Sequence, residues 1–312
     1  MHDHRLIREQ ADLLRDGMRR RGKLDALDPV IRRGEAIERE RRTLIQAVEE
    51  RKAARNAMTA EVARRKKAGE DASELVASAR TIGEEIARLE RERTEAEQAL
   101  EEVLYELPNL TLPDVPEGGE DANAVVRSWG APRPSDGVRP HWEIGERHGL
   151  LDLPRGAKVS GSGFPVFRGA GARLVRGLMQ FMLDVHTREH GYQEVWVPFA
   201  VTRQTMTGTA QLPKFEDDMY AVRDEDLFLI PTAEVPVTNL YRDEILDGDA
   251  LPIHHVAYTA CFRREQMAAG RDTRGIKRGH QFDKVELVKF VRPETSMDEL
   301  RMLLRDAEDV LA

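Results

Sequence analysis

The stretch FRREQMAAGRDTRGIKRGHQF, residues 262–282, joins two segments in which apolar and polar residues alternate. The first segment is HHVAYTACFRRE (254–265) and the second is HQFDKVELVKFV (280–291). Alternation with a period of two predicts β-strands, and a polar, glycine-containing connection between two such segments predicts an antiparallel hairpin. The sequence therefore predicts a β-hairpin with a long basic loop.

The residues on both sides of this hairpin alternate between helical and β-rich patterns. An apolar strand before the hairpin is followed by a Pro-Thr turn and a helix, and another strand is broken by Pro198. The helical segments are GAGARLVRGLMQFMLDVHTREHG (169–191) and TSMDELRMLLRDAEDVLA (295–312), and the strand-containing segments are YQEVWVPFAV (192–201) and LFLIPTAEVPVTNLYRDEIL (227–246). The mixture predicts an α+β domain.

Residues 31–107 carry a different pattern, with almost no glycine, proline or aromatic residue. Apolar residues in the second half of this segment recur every seven positions on two registers, interrupted by Arg93, which predicts a coiled-coil seam. The two registers contain Leu75, Ile82, Leu89, Ala96 and Val103, and Ala79, Ile86, Leu100 and Leu107. The first half has a rougher seam, interrupted by Arg51 and Arg55 and formed by Ile37, Leu44, Val48, Met58 and Val62.

The two halves are joined by KKAGED (66–71), in which Gly69 is suited to end a helix and Asp71 or Ser73 to begin the next one. So short a turn requires antiparallel helices, in an arm on the order of 50 Å long. The first limb has an excess of Arg and Lys and the second an excess of Glu, so the limbs can pair along their flanks. The pattern fits a solvated interaction arm as well as an arm that binds a polyanion.

Residues 108–135, which begin PNLTLPDVPEGGEDAN, are rich in proline, glycine and acidic residues and predict a linker. The chain therefore divides into a helical arm (1–107), this linker and the α+β domain (136–312). The formal net charge of -8 confines any nucleic-acid contact to local patches. The single cysteine, Cys261, excludes an internal disulfide, and the apolar segments are too short for a membrane span. These features predict a cytoplasmic protein that does not bind membranes.

The two ends of the hairpin loop contain the parts of a nucleotide site. Arg263 and Glu265 are two residues apart at the end of the first strand and should share one face, while Arg278 and Phe282 lie at the start of the second strand. A guanidinium suits a phosphate, a carboxylate suits an exocyclic amine, and an aromatic ring suits a base. The alternative is that the arginines are solvated and Phe282 belongs to the core.

Two carboxylates stand in unusual places. Glu234 lies beside Thr232 at the start of a helix, and Glu286 lies inside a strand between Val285 and Leu287. A carboxylate among apolar strand residues is costly unless it faces a site and pairs with a cation. Two such carboxylates predict a site for an ammonium group, and the alternative is that Glu286 faces water on an edge strand.

With these residues in place, the sequence resembles the seryl-tRNA synthetases, a family of class II aminoacyl-tRNA synthetases. The resemblance covers nearly the whole chain, and the Thr-Ala-Glu triplet within an apolar, Pro-containing context is its most diagnostic part. The matching strings are PHWEIGERHGLLD, KVSGSGF, FMLDVHTREHGYQEVWVPF, GTAQLPKFEDDMY, LIPTAEVPVTN and FRRE…GRDTRG…HQFDKVELVKF. The resemblance implies an antiparallel sheet flanked by helices, preceded by a two-helix coiled-coil arm that binds tRNA.

The resemblance also implies the reaction. Family members activate L-serine with ATP and Mg²⁺ to seryl-adenylate and transfer the seryl group to tRNA(Ser), and charging of tRNA(Sec) stays open. They are homodimers, and residues 191–198 resemble motif 1, which forms the dimer interface. Attack of a carboxylate on a phosphate is helped by fixed positive charge and requires no nucleophilic side chain.

Carried over position by position, the resemblance assigns the site residues. Arg263 is the catalytic residue and contacts both the α-phosphate and the serine carboxylate. The serine-binding residues are Thr232, Ala233, Glu234, Glu286 and Arg263. The ATP-binding residues are Arg263, Arg264, Glu265, Arg278, Gly279 and Phe282, with Glu265 on the adenine amine and Phe282 stacked on the ring.

The sequence departs from the family in two places. Gln266 and Met267 are bulkier than the small residues that usually follow the motif 2 glutamate, in the loop that approaches the tRNA end. The family also continues beyond a helix like 295–312, and that part carries an acidic Mg²⁺ ligand, a contact to the serine hydroxyl and the motif 3 arginine. No counterpart is present here, so we expect a sheet with an unpaired edge and no serine-dependent ATP–pyrophosphate exchange by this chain.

Two other interpretations follow from these departures. The chain is either an incomplete serine–tRNA ligase or a paralogue that binds tRNA and dimerises without aminoacylating. A third interpretation is a carrier-protein amino-acid ligase from the same fold family. The intact arm and the Thr-Ala-Glu triplet argue against it.

Overall fold

The computed structural model describes residues 2–134, 136–266 and 274–312. The chain forms two compact units, Met1–Ala131 and Pro132–Ala312. The first unit is helical and the second is mixed. Across the described ranges, no helix is long and apolar enough to cross a membrane.

The first unit contains the predicted antiparallel arm. Its helices are α1 (His4–Glu9), α2 (Ala11–Arg20), α3 (Leu24–Ala68) and α4 (Ser73–Glu106). Gly69 ends α3 in the left-handed conformation at φ 74°, and Asp71 accepts a hydrogen bond from the backbone N of Ser73 at 2.9 Å. Both turn residues therefore act as the sequence predicted.

Ion pairs between the two long helices give the direction of the limbs. Arg41 pairs with Glu97 at 3.4 Å and Arg51 with Glu85 at 3.1 Å, so the residue number rises along α3 as it falls along α4. The predicted seam lies between the limbs, and its buried members are Val48, Ile82, Ile86, Ala96, Leu100, Val103 and Leu107. The coiled-coil prediction and the flank pairing are both confirmed.

The base of the arm was not predicted. Helix α3 begins at Leu24 rather than at residue 31, with Pro29 inside its first turns. Helices α1 and α2 fold back on this base and bury Ile7, Leu14 and Met18. Each of these two helices is at most 10 residues long, so its apolar pattern is too brief to stand out in a highly charged sequence.

The start of the predicted linker is fixed to this helical base. The Arg20 guanidinium donates hydrogen bonds to the carbonyl groups of Leu112, Pro113 and Val115 at 3.1, 3.0 and 2.8 Å. These carbonyl groups have no strand or helix partner, and a guanidinium offers several donors in one plane. The proline-rich segment is therefore docked at its start rather than free.

The second unit has the predicted α+β composition. Its helices are α5 (His141–Arg147), α6 (Leu153–Ser160), α7 (Ala170–Arg188), α8 (Arg203–Gly208), α9 (Glu234–Thr238) and α10 (Ser296–Asp309). Its strands are β1 (Gln193–Glu194), β2 (Ala200–Thr202), β3 (Tyr220–Ala221), β4 (Leu227–Leu229), β5 (Ile253–Phe262) and β6 (Gln281–Phe290). The break at Pro198 separates β1 from β2, as predicted.

These strands form two three-stranded sheets, ordered β1-β5-β6 and β2-β4-β3. Strands β5 and β6 form the predicted antiparallel hairpin, in register from Ile253 opposite Phe290 to Phe262 opposite Gln281. The second sheet is antiparallel, whereas β1 pairs with β5 in parallel. Among the described strands β6 pairs with β5 alone.

The hairpin ends earlier than the sequence suggested on both sides. Strand β5 stops at Phe262, and Glu265 adopts the left-handed conformation at φ 54°. Strand β6 begins at Gln281, so Arg278 precedes it. Arg263 and Glu265 therefore do not share one strand face as predicted, because the alternation of side chains ends with the strand.

Candidate functional site

Thr232 is the centre of a polar cluster on the hairpin sheet. It lies in the turn between β4 and α9 and is 5% exposed. Its hydroxyl donates to Glu286 Oε2 at 2.7 Å and accepts hydrogen bonds from Lys284 Nζ at 2.9 Å and from the backbone N of Glu234 at 3.3 Å. A hydroxyl has one donor and two acceptor positions, so all three are in use and the side chain is fixed.

Glu286 and Lys284 form the charged part of this cluster. They are two residues apart on β6 and share the face that carries the site. Their carboxylate and ammonium groups are in contact, and the Glu286 side chain is 20% exposed. Glu286 therefore lies on an edge strand of the described sheet and pairs with a cation of the chain itself, and its part in binding a substrate ammonium group stays a prediction.

The other two members of the triplet have different surroundings. Ala233 is fully buried and packs with Val197, Val237 and Ala257 beneath the sheet. Glu234, the first residue of α9, is exposed while its backbone N is bonded to Thr232. The triplet thus presents a fixed hydroxyl and a free carboxylate above an apolar base.

Arg263, the first residue after β5, contacts the turn that carries Thr232. Its Nε donates to the carbonyl oxygen of Pro231 at 3.2 Å, and its guanidinium carbon is 5.0 Å from the centre of the Phe282 ring. The remaining guanidinium nitrogens are the part of this side chain suited to a phosphate or a carboxylate. Arg263 and Phe282 therefore come together as predicted.

His280 holds the backbone of Arg263. The Arg263 N donates to the His280 carbonyl at 2.9 Å, and His280 Nδ1 lies 2.9 Å from the Arg263 carbonyl oxygen. His280 N in turn donates to the Gly163 carbonyl at 2.8 Å. A Cβ at Gly163 would lie 2.1 Å from the His280 ring, so the KVSGSGF string fits its glycine to this histidine.

The remaining predicted ATP residues divide into two groups. Glu265 and Arg278 pair with each other at 3.1 Å. Arg264 points elsewhere, because its Nη1 donates to the Asp217 carbonyl at 3.0 Å. The structure therefore brings Glu265 together with Arg278 and leaves Arg264 beside the segment that carries Asp217.

Gly279 and Gln266 complete the loop ends. Gly279 is buried, and a Cβ there would lie 3.0 Å from the Gln281 carbonyl oxygen, so a side chain would crowd the backbone. Gln266 N donates to Asp218 Oδ1 at 3.0 Å. Met267 lies outside the described residues.

Sequence reasoning missed Lys284 and His280. Lys284 had a readable signal, because it stands two residues before Glu286 and must share its strand face. His280 had none, since its role depends on contacts with residues far away in sequence. Within the described part of the chain, no group of three or more His, Cys, Asp and Glu residues could hold a metal ion, so the residues present do not form a metal cage.

The cluster can bind an ammonium group and an anion side by side. Glu234 and Glu286 supply the negative charge, and Arg263, bonded to Pro231 of the Thr232 turn, supplies the positive charge. Cys261, which pairs with Phe282 in the hairpin, is fully buried, and burial raises the pKa of its thiol. The site suits a zwitterion next to a phosphate.

Two parts of the chain match known protein families. Residues 1–111 match the family described as Seryl-tRNA synthetase N-terminal domain. Residues 214–312 match the family described as tRNA synthetase class II core domain (G, H, P, S and T). The first match covers the arm, and the second covers the triplet and the whole hairpin.

Similar curated proteins carry the name serine–tRNA ligase. One from Gemmatimonas aurantiaca is 60% identical over 312 residues, which are 100% of this chain and 73% of that protein. One from Thermomicrobium roseum is 51% identical over 313 residues, covering 100% of this chain and 69% of that protein.

Solved structures give the same result for the fold. The crystal structure of seryl-tRNA synthetase from Pyrococcus horikoshii complexed with ATP aligns with a TM-score of 0.88 at 36% identity, covering 100% of this chain and 74% of that one. The crystal structure of cytoplasmic serine-tRNA ligase from Naegleria fowleri in complex with AMP aligns with a TM-score of 0.81 at 26% identity, covering 99% and 75%. The predicted α+β architecture with a helical arm is confirmed.

Proposed function

This chain belongs to the seryl-tRNA synthetase family, and we propose that its second unit binds L-serine and ATP at the cluster around Thr232 and Arg263 for the serine–tRNA ligase reaction. The observation that carries the proposal is the three-way hydrogen bonding of Thr232, which joins Glu286, Lys284 and the backbone of Glu234. Charged groups held partly out of water cost stability, which favours a binding role for this cluster.

We assign the serine ammonium to Glu234 and Glu286. Lys284 already neutralises part of the Glu286 charge, so the two carboxylates together leave the equivalent of one negative charge for one ammonium group. Ala233 is fully buried and packs into the apolar base of the site. The choice of serine as the amino acid rests on the family to which the chain belongs.

We assign the α-phosphate of ATP and the serine carboxylate to Arg263. The carboxylate oxygen of serine attacks the α-phosphorus and forms a new P–O bond. The bond from the α-phosphorus to the bridging oxygen breaks, and pyrophosphate leaves with the electron pair of that bond. Negative charge grows on the phosphate oxygens during this step, and a guanidinium already fixed by Pro231 and Phe282 stabilises it without rearranging.

We assign the adenine to the hairpin ends. Phe282 offers its ring, Glu265 a carboxylate for the exocyclic amine, Arg278 a cation and Gly279 a backbone free of a side chain. Arg264 is kept outside these contacts because its guanidinium is engaged with Asp217. The described residues give Mg²⁺ no cage, so we assign it no protein ligand and derive no step through it.

We propose tRNA(Ser) as the partner of the arm. Lys66 and Lys67 are exposed at its tip, whereas Arg64 and Arg65 share Glu61 and hold the pKa of that carboxyl at about 2. An arm that recognises the shape and the phosphates of its partner would accept any tRNA of the same shape. We therefore propose tRNA(Sec) as a partner in addition to tRNA(Ser). We place the reaction in the cytoplasm.

We also propose a homodimer through α7. Leu174, Leu178 and Phe181 lie four and three residues apart on this helix and are 59%, 46% and 49% exposed, and Trp196, in the segment after β1, is 77% exposed. An apolar stripe of this kind favours burial against a second copy. Sedimentation of Leu178→Asp should show a monomer where the unsubstituted protein sediments as a dimer, and equal sedimentation would contradict the assignment.

Calorimetric titration tests the substrate assignment. Serine should bind in the presence of ATP, and threonine, which carries one more methyl group, should bind about tenfold more weakly. Equal binding of the two amino acids would reject the assignment. Loss of tRNA(Ser) binding on deletion of residues 31–107 tests the arm, and retained affinity would reject that part alone.

A further inference from the structure

Two side chains of α5 hold the hairpin loop from outside the site. His141 Nε2 accepts a hydrogen bond from the backbone N of Ile276 at 2.9 Å. The guanidinium carbon of Arg274 lies 5.1 Å from the centre of the Trp142 ring, within the range of a cation–π contact. Two contacts of different kinds therefore fasten residues 274–276 to one short helix.

Gly275 lies between these two contacts and fits the helix closely. It has φ 90°, a conformation that disfavours other residues. A Cβ at this position would lie 2.0 Å from His141 Nε2 and 2.9 Å from the Trp142 ring. The backbone of the loop thus runs in direct contact with both side chains, and a larger residue would push it away.

The fastened segment leads directly to the proposed adenine contacts. Arg278 follows Gly275 by three residues and pairs with Glu265, and Gly279 comes next. The outgoing side of the loop has its own anchor, since Gln266 N is bonded to Asp218. Each end of the loop is therefore held by a different element, and α5 serves the returning end.

We propose that His141 and Trp142 are positioning residues that clamp the returning side of the hairpin loop and thereby hold Arg278 and Gly279 in place for ATP. The proposal rests on the function assigned above to the hairpin. His141 contributes an unprotonated ring nitrogen as acceptor, and Trp142 contributes the face of its ring. Neither residue contacts the triplet around Thr232, so their effect should fall on ATP rather than on serine.

The test compares His141→Leu, which removes the acceptor, with His141→Gln, which retains one on a side chain of similar reach. His148→Leu, an exposed residue just past the end of α5, is the matched control. ATP and serine affinities are measured by calorimetry. We expect about tenfold weaker ATP binding by His141→Leu, the usual effect of a donor left without its partner, with serine affinity unchanged and ATP affinity restored in His141→Gln.

A second readout needs no substrate. The side chain of Arg274 is exposed, and trypsin cleaves after it once the contacts that hold the backbone of residues 274–276 are broken. We expect His141→Leu to be cut there several times faster than His141→Gln, His148→Leu and the unsubstituted protein, as opening equilibria govern such cleavage. Trp142→Leu against Trp142→Phe repeats the comparison for the ring contact, should His141→Leu fail to fold.

Three outcomes would overturn the clamp. They are equal cleavage rates in all variants, a parallel loss of serine and ATP affinity, and failure of glutamine to restore the contact. If the unsubstituted protein binds no ATP, the proposed function of the hairpin fails, while the cleavage rates still decide whether α5 holds the loop.

Discussion

The helical arm and the hairpin unit, which is the second unit (Pro132–Ala312), place their charged residues differently. In the arm, Arg51 and Glu85 pair on the flank with side chains that are 51% and 39% exposed, and the buried positions are apolar apart from Glu38, which pairs with Arg41. In the hairpin unit, Glu286 and Lys284 gather around a buried hydroxyl on the face of a sheet. Most charge of the arm lies on its surface, whereas charge in the hairpin unit gathers at the candidate site.

The difference indicates where each region takes its free energy from. Exposed ion pairs are screened by water and lose side-chain entropy, so they add little to stability. A charged group held out of water has to be matched by oriented partners, and such a cluster costs stability unless it serves another purpose. Substitutions in the arm should therefore change folding, whereas substitutions in the cluster should change binding.

Truncation of the arm seam should have the largest effect. Leu100→Ala removes a side chain that is 3% exposed, and we expect the arm to lose about 3 kcal/mol of its free energy of unfolding because a cavity remains. Hydrogen exchange of amides in α3 and α4, followed by mass spectrometry, measures this loss. Arg51→Met on the exposed flank is the control and should change exchange by a small fraction of that amount. Equal effects of the two substitutions would contradict an arm held together by its seam.

Replacement of Arg263 should have the next largest effect. Arg263→Met retains the contact with Phe282 and removes the cation, and we expect ATP affinity to fall about a hundredfold, or about 2.7 kcal/mol. Calorimetry measures the affinity, and the thermal midpoint should stay unchanged. Arg264→Met is the adjacent control and should lose far less, because its guanidinium is engaged with Asp217. A larger loss in the control would reverse the assignment of the two arginines.

The carboxylate of Glu286 should matter for serine and not for ATP. Glu286→Gln keeps the shape of the side chain and removes its charge, and we expect serine affinity to fall about thirtyfold, or about 2 kcal/mol. Asp283→Asn is the matched control, since Asp283 lies on the opposite face of the same strand and bonds to Tyr258. If both variants bind serine equally well, the ammonium site lies elsewhere.

Acid should have the smallest effect, and it should act on the hairpin unit alone. Burial lowers the pKa of His186, and the neighbouring His190 lowers it further. The Nδ1 atoms of the two histidines are 3.0 Å apart. Tyr192 and Asp306 also face His186. A lowered pKa means that the folded state takes up the proton less readily than the unfolded state. Stability is therefore complete above the ordinary histidine value of about 6.5 and falls as the pH drops through the lower value.

Thermal unfolding at about pH 7.5 and about pH 5.5 checks this expectation. The hairpin unit should unfold at a lower temperature in acid, and His186→Gln should reduce the difference. An equal difference in that variant would show that other groups are responsible, such as the carboxylates common to both regions.

The two regions also differ in how far the sequence alone predicts them. The heptads of the second limb and the alternation in β5 and β6 are periodic, so both elements follow from local sequence. Gly69 and Asp71 could be assigned to the turn because capping depends on a few neighbouring residues. Short helices such as α1 and α2 lack a repeat, and they form because they cover the base of the arm.

Within the site, the residues could be predicted and their partners only in part. Thr232 and Glu286 are 54 residues apart and meet because the turn and the strand lie side by side. Glu265 was misplaced because its backbone leaves the strand conformation, and its change of direction has no clear sign in the local sequence. Lys284 follows from strand alternation, whereas His141 and His280 depend on contacts that only the folded chain supplies.

Binding of a seryl-adenylate analogue tests the central claim most directly, because that molecule places the serine ammonium and the adenine in one ligand. The non-hydrolysable 5′-O-(N-seryl-sulfamoyl)adenosine should bind the unsubstituted protein more tightly than serine or ATP alone. Glu286→Gln and Arg263→Met should each weaken it by the same factor that they impose on serine and on ATP. Tight binding that is unaffected by both substitutions, or no binding at all, would contradict a single site formed by the triplet turn and the hairpin.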